Sequence, residues 1–178
     1  MTPFIRKLWP HEARLFLEHM LRLGPEARRL RFGSPVNDER IRAYVSKAFD
    51  LETVLLGYFV EGTLRGSAEL HPLGQGWRRD AAEAAFAIEE AWQSKGVGRM
   101  LLTRIVTLAR NRRISRVHLF CQQENYRMLH LARQFDASMT YDFGEVDALV
   151  HPPLANAFSW FDEAYDDAEG AFRAALRV

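Results

Sequence analysis

The chain has 178 residues, 48% hydrophobic and 12% aromatic, a composition that excludes a disordered protein and suits one globular domain. Its 24 basic residues nearly balance its 23 acidic ones, so the charge gives no reason to propose a nucleic-acid surface. The N-terminal segment lacks the apolar core of a signal peptide, and no apolar run reaches the ~20 residues of a membrane span. The single cysteine, Cys121, cannot form an internal disulfide, so we expect a cytoplasmic protein without a membrane partner.

The first third of the chain predicts one strand and two helices. Residues 3–9 favour a short strand. A helix is expected from Pro10 to Gly24, because apolar side chains recur there at helical spacing. A second helix is expected to begin at Asn37 or Asp38, whose side chains can cap a helix.

The middle of the chain predicts β-structure followed by a strand–helix–strand unit. Residues 53–71 predict two strands joined by the tight turn Glu61-Gly62, and a glycine- and arginine-rich loop at 73–80 precedes a third strand. The elements then follow as strand 82–88, a long apolar-striped helix, strand 116–121, helix 125–135 and two strands around Gly144. Strands 82–88 and 116–121 should be parallel because a helix connects them. The predicted fold is α/β (α+β), a mixed and mostly antiparallel sheet with a central parallel strand pair, flanked by helices.

Residues 151–178 are expected to form a C-terminal amphipathic helical extension. Apolar residues from Leu154 to Ala175 are spaced alternately by four and three, which predicts one continuous helix face. The other face is acidic between residues 162 and 169. We expect this helix to pack on the same domain. The alternatives are a subunit interface in a homodimer, or a lid whose acidic residues attract a cationic amine.

The stretch Gln93–Gly98, "QSKGVG", stands directly before the long helix. A helix N-terminus offers unpaired N–H groups, and Gly96 and Gly98 remove side chains that would keep an anion away from them. A Walker loop is excluded because Gly-Lys-Ser/Thr is missing. A dinucleotide fingerprint is excluded because Leu101 stands where a third glycine is required. The stretch therefore predicts a loop that holds another pyrophosphate-bearing ligand.

The hexapeptide fits the pattern Gln/Arg-x-x-Gly-x-Gly and resembles the coenzyme A loop of the GNAT family of N-acetyltransferases. The flanking strands, the helix and Asn125 lie where that family has them, so the resemblance covers roughly residues 24–150. The segments "AEAAFAIEEAWQSKGVG" and "NYRMLHLARQF" resemble in particular the bacterial protein-lysine acetyltransferases.

The resemblance implies a single GNAT-like, acyl-CoA-binding catalytic domain at 1–150, with acetyl-CoA as cosubstrate and no metal. The implied reaction is transfer of an acetyl group to a primary amine by direct attack. A protein lysine is the leading acceptor. A small amine is the alternative substrate, and a non-catalytic acyl-CoA-sensing module is the alternative function.

Glu83 is the expected general base. An amine with a pKa of ~10 must lose a proton before it can attack a thioester. In a strand, Glu83 shares a face with Ala85 and Ala87, which are small enough for a pantetheine arm and an amine to approach. Glu83 also occupies the position of the catalytic glutamate in the protein-lysine relatives. Glu69, on the neighbouring predicted strand, is the reserve candidate.

The family resemblance also implies coenzyme contacts along the strand, the loop and the next helix. The expected coenzyme-binding residues are Phe86, Ala87, Ile88, Gln93, Ser94, Lys95, Gly96, Val97, Gly98, Arg99 and Asn125. The general-acid tyrosine of many family members would stand at position 132, which is Ala132 here, so Tyr126, Tyr141 and water stay open as candidates. Cys121 is expected to be a buried core thiol rather than a nucleophile.

Overall fold

A computed structural model describes residues 3–50, 52–74 and 80–175, so residues 75–79 of the predicted loop lie outside the described part. The strands are β1 (Phe4–Lys7), β2 (Val54–Val60), β3 (Thr63–Leu73), β4 (Ala81–Ile88), β5 (Arg116–Gln122), β6 (Ser138–Asp142) and β7 (Glu145–Val150). The helices are α1 (Ala13–Arg22), α2 (Pro25–Phe32), α3 (Asp38–Ala48), α4 (Val97–Asn111), α5 (Tyr126–Arg133) and α6 (Ala157–Ala175).

The described strands form one sheet in the order β1-β2-β3-β4-β5-β7-β6. Neighbouring strands are antiparallel except β4 and β5, which are parallel, and the predicted mixed sheet is thereby confirmed. β4 and β5 pair only from Ala81–Arg116 to Glu83–His118. Beyond Glu83 the two strands separate, while β4 stays paired with β3 as far as Ile88.

Helix α2 is an element that the sequence analysis did not predict. It begins at Pro25, the first helical position, and ends at Gly33, which adopts a left-handed conformation with φ 72°. Both residue types are typical of those positions. The predicted helix from Pro10 consists of a 3-10 turn at Pro10–Glu12 followed by α1. The predicted cap of α3 is confirmed, since the Asn37 side chain accepts a hydrogen bond from the Arg40 N–H at 2.9 Å.

Separate apolar clusters cover the two faces of the sheet. On one face, α4 packs on β4 through side chains that include Leu101, Ile105, Ala84 and Phe86. On the opposite face, α1 and α3 form a cluster that includes Ala87 of β4. Because successive strand residues alternate between faces, Glu83 lies on the face covered by α1–α3.

Helix α6 packs on β1 and α4. The prediction that this helix packs on its own domain is confirmed by those contacts, but its apolar face points outward, since Phe158, Phe161 and Tyr165 are exposed by 79%, 70% and 61%. Its polar face lies inward, because β1 and α4 present cations: Glu163 pairs with Lys7 and Arg112, each at 3.0 Å. No described helix is long and apolar enough to cross a membrane.

Candidate active site

The separation of β4 from β5 leaves a cavity of about 440 Å³ at the centre of the sheet. Ten of the twelve predicted site residues line it: Glu83, Phe86, Ala87, Ile88, Gln93, Ser94, Gly96, Gly98, Arg99 and Asn125. The exceptions are Lys95, whose Nζ lies 5.1 Å above the Trp92 ring, and Val97, whose side chain is buried in the core. The structure thus brings the strand, the loop and the next helix together around one space.

The backbone of β4 offers hydrogen-bonding groups to this cavity. The Glu89 N–H donates to the Arg65 carbonyl at 3.1 Å, in line with the β3–β4 register. The alternation of an antiparallel ladder then directs the N–H groups of Phe86 and Ile88 away from β3, and that of Ala87 toward β3. No β5 residue pairs opposite Phe86 or Ile88, so their N–H groups are placed for a ligand.

The glycine loop ties the end of β4 to the start of α4. The Gln93 side chain donates from Nε2 to the Ile88 carbonyl at 2.8 Å, which fixes the loop against the strand. Gly96 adopts φ 81° and stands at the N-cap of α4, where no side chain caps the helix. The first N–H groups of α4 are consequently available to an anion, with the helix dipole adding to the attraction.

Gly98 is the second residue of α4, and there is little space around it. A Cβ atom at Gly98 would lie 3.3 Å from Leu131 Cδ2, so a larger residue would fill the cavity wall. The buried Val97 side chain, 1% exposed, anchors the start of α4 in the core. Val97 can therefore meet a ligand only through its backbone.

Several lining residues were missed by the sequence analysis. Arg31 and Phe120 line the cavity from α2 and β5, and Arg127 and His130 line it from α5. Arg127 and Arg99 bring two cations to the same cavity, a charge suited to phosphate groups. Arg127 and His130 stand in the same segment as Asn125, which could have located them, whereas Arg31 reaches the cavity because α2 docks over the sheet and Phe120 because β5 separates from β4.

Glu83 stands at the point where β4 and β5 separate. It is half-buried, lies opposite His71 on β3 and opposite His118 on β5, and lines the cavity. His118 is itself engaged, since its Nδ1 lies 2.9 Å from the Asp147 carboxylate. Within the described part of the chain, no hydrogen bond or ion pair engages the Glu83 carboxylate, although Arg31 lies near enough to interact with it electrostatically.

The family model described as "Acetyltransferase (GNAT) family" matches residues 17–136. The chain belongs to the GNAT acetyltransferase family. No curated protein sequence matches it. Among solved structures it is similar to the GNAT domain of PAT from S. lividans, with TM-score 0.72 and 20% identity over 83% of this chain and 89% of that one.

Two further solved structures share the fold. yncA from Salmonella typhimurium, solved with its cofactor acetyl-CoA, has TM-score 0.67 and 17% identity over 88% of this chain and 98% of that one. The PaiA N-acetyltransferase from Thermoplasma acidophilum, in complex with coenzyme A, has TM-score 0.64 and 17% identity over 85% and 99%.

Glu69, the reserve candidate for the base in this GNAT chain, belongs to a buried network of hydrogen bonds and ion pairs. Its carboxylate accepts from Arg31 at 2.7 Å and from the Tyr44 hydroxyl at 2.5 Å, and His71 Nε2 lies at 3.2 Å. Burial alone would raise the pKa of Glu69, but Arg31 and these hydrogen bonds outweigh it and hold the pKa at about 2. Glu69 therefore stays ionised and paired, and does not suit a general base at neutral pH.

Glu89, the other carboxylate near the end of β4, is also engaged. It is buried and interacts with His19, Arg22 and Arg65 at 3.1, 2.8 and 3.0 Å. Burial opposes ionisation, but the His19 and arginine hydrogen bonds lower the pKa of Glu89 to about 2. Of the three carboxylates 69, 83 and 89, Glu83 alone is unpaired within the described residues.

The open candidates for a general acid lie away from the cavity. Tyr126 and Tyr141 are 76% and 51% exposed and do not line the cavity, and Ala132 is buried in the core. Cys121 does line the cavity, but it is mostly buried, and burial raises the pKa of its thiol to about 11. Asn125 caps α5, accepting from the Met128 N–H at 3.2 Å, while also lining the cavity.

Metal ligands were not expected. Over residues 3–50, 52–74 and 80–175, no three or more His, Cys, Asp or Glu side chains come together as a metal site would need.

Proposed function

We propose that this GNAT chain is an acetyl-CoA-dependent N-acetyltransferase in which Glu83 is the general base. The observation that carries the proposal is the unpaired, half-buried Glu83 at the mouth of the gap between β4 and β5. Support comes from the relatives, since yncA was solved with acetyl-CoA and PaiA with coenzyme A.

The residues around the cavity fit coenzyme A in both charge and hydrogen bonding. The uncapped start of α4 at Gly96–Gly98 would hold the pyrophosphate through backbone N–H groups. Arg99 would add charge there, with Ser94 and Lys95 on the same loop. The N–H groups of Phe86 and Ile88 would bond the pantetheine amides, with Asn125 facing them from α5.

The reaction needs a proton acceptor and a donor for the developing oxyanion. Glu83 takes a proton from the ammonium group of the acceptor, directly or through a water, and leaves a neutral amine. The amine nitrogen then bonds to the acetyl carbon, and backbone N–H groups of β4 stabilise the oxyanion of the tetrahedral intermediate. The carbonyl re-forms as the carbon–sulfur bond breaks, and the nitrogen gives its remaining extra proton to the departing thiolate, directly or through a water. Glu83 releases its proton to solvent. A thiol pKa near ~8.5 makes the thiolate an acceptable leaving group without a strong acid. Acetyl-CoA supplies the activated acetyl group.

A protein lysine is the acceptor that we propose first, with a small amine as the alternative. The segments around the glycine loop and α5 resemble protein-lysine acetyltransferases, and PAT of S. lividans shares the fold. Asp147, paired with His118, lies on the same face as Glu83 and adds negative charge for a cationic amine.

Thermal unfolding with acetyl-CoA or CoA, against ATP and NAD, tests the coenzyme part of the proposal. A ligand at 100 times its Kd stabilises a fold by ~2.7 kcal/mol, a rise of several degrees in Tm. We expect the rise with acetyl-CoA and CoA alone. Equal or absent shifts with all four ligands would contradict the coenzyme assignment.

Glu83→Gln tests the base. We expect acetyl transfer to a lysine peptide or polyamine panel to fall by about 10²–10⁴-fold, because an amide cannot take the proton. The acetyl-CoA shift in Tm should stay unchanged. Glu39→Gln, an exposed carboxylate on α3, is the matched control and should keep full activity. Full activity in Glu83→Gln would exclude Glu83 as base, and coenzyme binding without turnover on any acceptor would favour an acyl-CoA sensor.

A further inference from the structure

The outward face of α6 is the largest exposed apolar surface that the function leaves unexplained. Its aromatic residues Phe158, Phe161, Tyr165 and Phe172, with the small Ala168, form what we call the α6 seam. The four aromatic side chains are 79%, 70%, 61% and 65% exposed, and Leu154 and Trp160 beside them are 92% and 57% exposed. An aromatic side chain offers ~150–250 Å² for burial, so the four aromatic side chains of the seam expose about 550 Å² together. This lies at the upper end of the range for the largest apolar patch of a typical monomer, about 300–600 Å².

The monomer cannot cover the α6 seam by turning α6 over. Glu163 is held by Lys7, Arg112 and Asn111 at 2.8–3.0 Å on the inward face. Gly170 approaches β1 so closely that a Cβ atom there would lie 2.6 Å from Arg6 Cβ. These contacts fix the rotation of α6 about its axis, and the seam therefore points outward in the folded chain.

We propose that a second copy of this chain covers the α6 seam, with the two α6 helices antiparallel about a two-fold axis at Tyr165. The seam is self-complementary about that residue, because Phe158 and Phe172 lie seven residues from it on either side. The axis sets Phe158 beside the partner's Phe172 and Phe161 nearly level with the partner's Ala168. Each large side chain then packs against a small one or stacks on another ring. Apolar residues spaced alternately by four and three favour this kind of helix–helix packing.

The charges of α6 allow this pairing despite the acidic sequence. Most of its acids are neutralised within their own chain: Glu163 by Lys7 and Arg112, Asp166 by Arg104, Asp167 by Lys7 and Glu169 by Arg173. Within the described residues, Asp162 is the one acid of α6 outside an ion pair. Repulsion across the axis is therefore small, whereas the absence of basic residues on the seam disfavours an anionic membrane.

The area is sufficient for a specific dimer. Two seams of about 550 Å² bury about 1,100 Å² in total, above the ~1,000 Å² that a biological interface needs. The seam lies on α6 outside the coenzyme cavity, so the dimer does not depend on the proposed reaction.

Sedimentation velocity tests the proposal at a protein concentration of about 100 µM, well above the micromolar range. We expect the wild type to sediment at about 41 kDa, twice the 20.6 kDa chain. Phe161→Asp should yield monomer, and Phe143→Asp, at the fully exposed β6–β7 turn with φ 41°, should stay dimeric. The far-UV circular dichroism spectrum and a cooperative thermal transition report that each variant is folded. A monomeric wild type, or a dimer that survives Phe161→Asp, would overturn the proposal.

Engineered cysteines test the antiparallel geometry. Tyr165→Cys lies on the proposed axis and should form an intermolecular disulfide under mild oxidation. Phe172→Cys should not, because the two copies of residue 172 would be ~21 Å apart at 1.5 Å per residue. The wild type, whose one cysteine is Cys121, is the control. Equal cross-linking at both positions, or cross-linking at residue 172 alone, would overturn the antiparallel arrangement.

Discussion

Helices α4 and α6 are both amphipathic, yet they dock on the sheet with opposite faces. α4 turns its apolar stripe inward, with Leu101 and Ile105 fully buried. α6 turns polar groups inward, with Ser159 fully buried beside Asn111, and leaves its aromatic face exposed. The difference follows from the surfaces that receive the helices: β4 offers alanines and Phe86, while β1 offers Lys7.

Periodicity identifies the apolar face of a helix without saying which way that face points. The free energy gained when an apolar helix face packs on an apolar sheet depends on the area buried and has no directional requirement. An ion-paired helix docks only where partner charges are within reach, so its orientation depends on residues far away in sequence. Glu163 illustrates this, because its cationic partners stand at positions 7 and 112.

The largest expected effect is the difference in stability between a truncation on the apolar face of α4 and one on the apolar face of α6. Leu101→Ala should lower the free energy of unfolding by about 2–5 kcal/mol, because it leaves a cavity in a fully packed core. Phe161→Ala should change it by less than ~0.5 kcal/mol at concentrations where the chain is monomeric. Urea unfolding of both variants measures the contrast. Similar losses in the two variants would mean that the α6 seam is buried within its own chain.

The sequence predicts most of the catalytic half of the fold from local rules. The strand–loop–helix–strand order gave the parallel β4–β5 pair, and the cap of α3 at Asn37 was correct. The glycine loop and Glu83 were placed by motif and by strand alternation, both of which act over a few residues. Their roles in coenzyme binding and proton transfer stay predictions.

Long-range contacts explain what the sequence could not provide. Glu69 was a plausible base until α2 and α3 brought Arg31 and Tyr44 onto it from 38 and 25 residues away. α2 itself was missed, although Pro25 and Gly33 carried its boundaries. The orientation of α6 could not be predicted from its own sequence, because its charged partners include Lys7 on β1, at the other end of the chain.

A smaller effect is expected at the glycine loop, where backbone N–H groups rather than side chains would bind the coenzyme. Gly96→Ala should raise the Kd for acetyl-CoA about tenfold, or ~1.4 kcal/mol, because a Cβ atom would enter the anion site at the start of α4. Gly144→Ala is the matched control, since φ is 81° at Gly96 and 89° at Gly144 and neither Cβ atom would meet a neighbour. Calorimetric titration should show weak binding for the first variant alone. Equal Kd values in the two variants would place the coenzyme elsewhere.

The smallest effect concerns the acid sensitivity of α6. Burial opposes ionisation of Glu163, but Asn111, Arg112 and Lys7 lower its pKa to about 2, against an ordinary value of ~4.3. A lowered pKa in the docked state stabilises docking above the ordinary value, and this contribution is lost as pH falls from ~4.3 toward about 2. Hydrogen-exchange protection of α6, corrected for intrinsic rates, should therefore fall between pH 5 and pH 3 before that of α4 does.

Glu163→Gln separates this cause from general acid unfolding. The variant lacks the titrating carboxylate, so its α6 should be less protected at neutral pH and should change less on acidification. The β4–α4 amides should match the wild type throughout, because the Leu101 core has no titrating partner in α6. If α6 and α4 lost protection together in the wild type, the ion pairs would not be what holds α6 to the sheet. The contrast between a helix docked by apolar burial and one docked by charge would then fail.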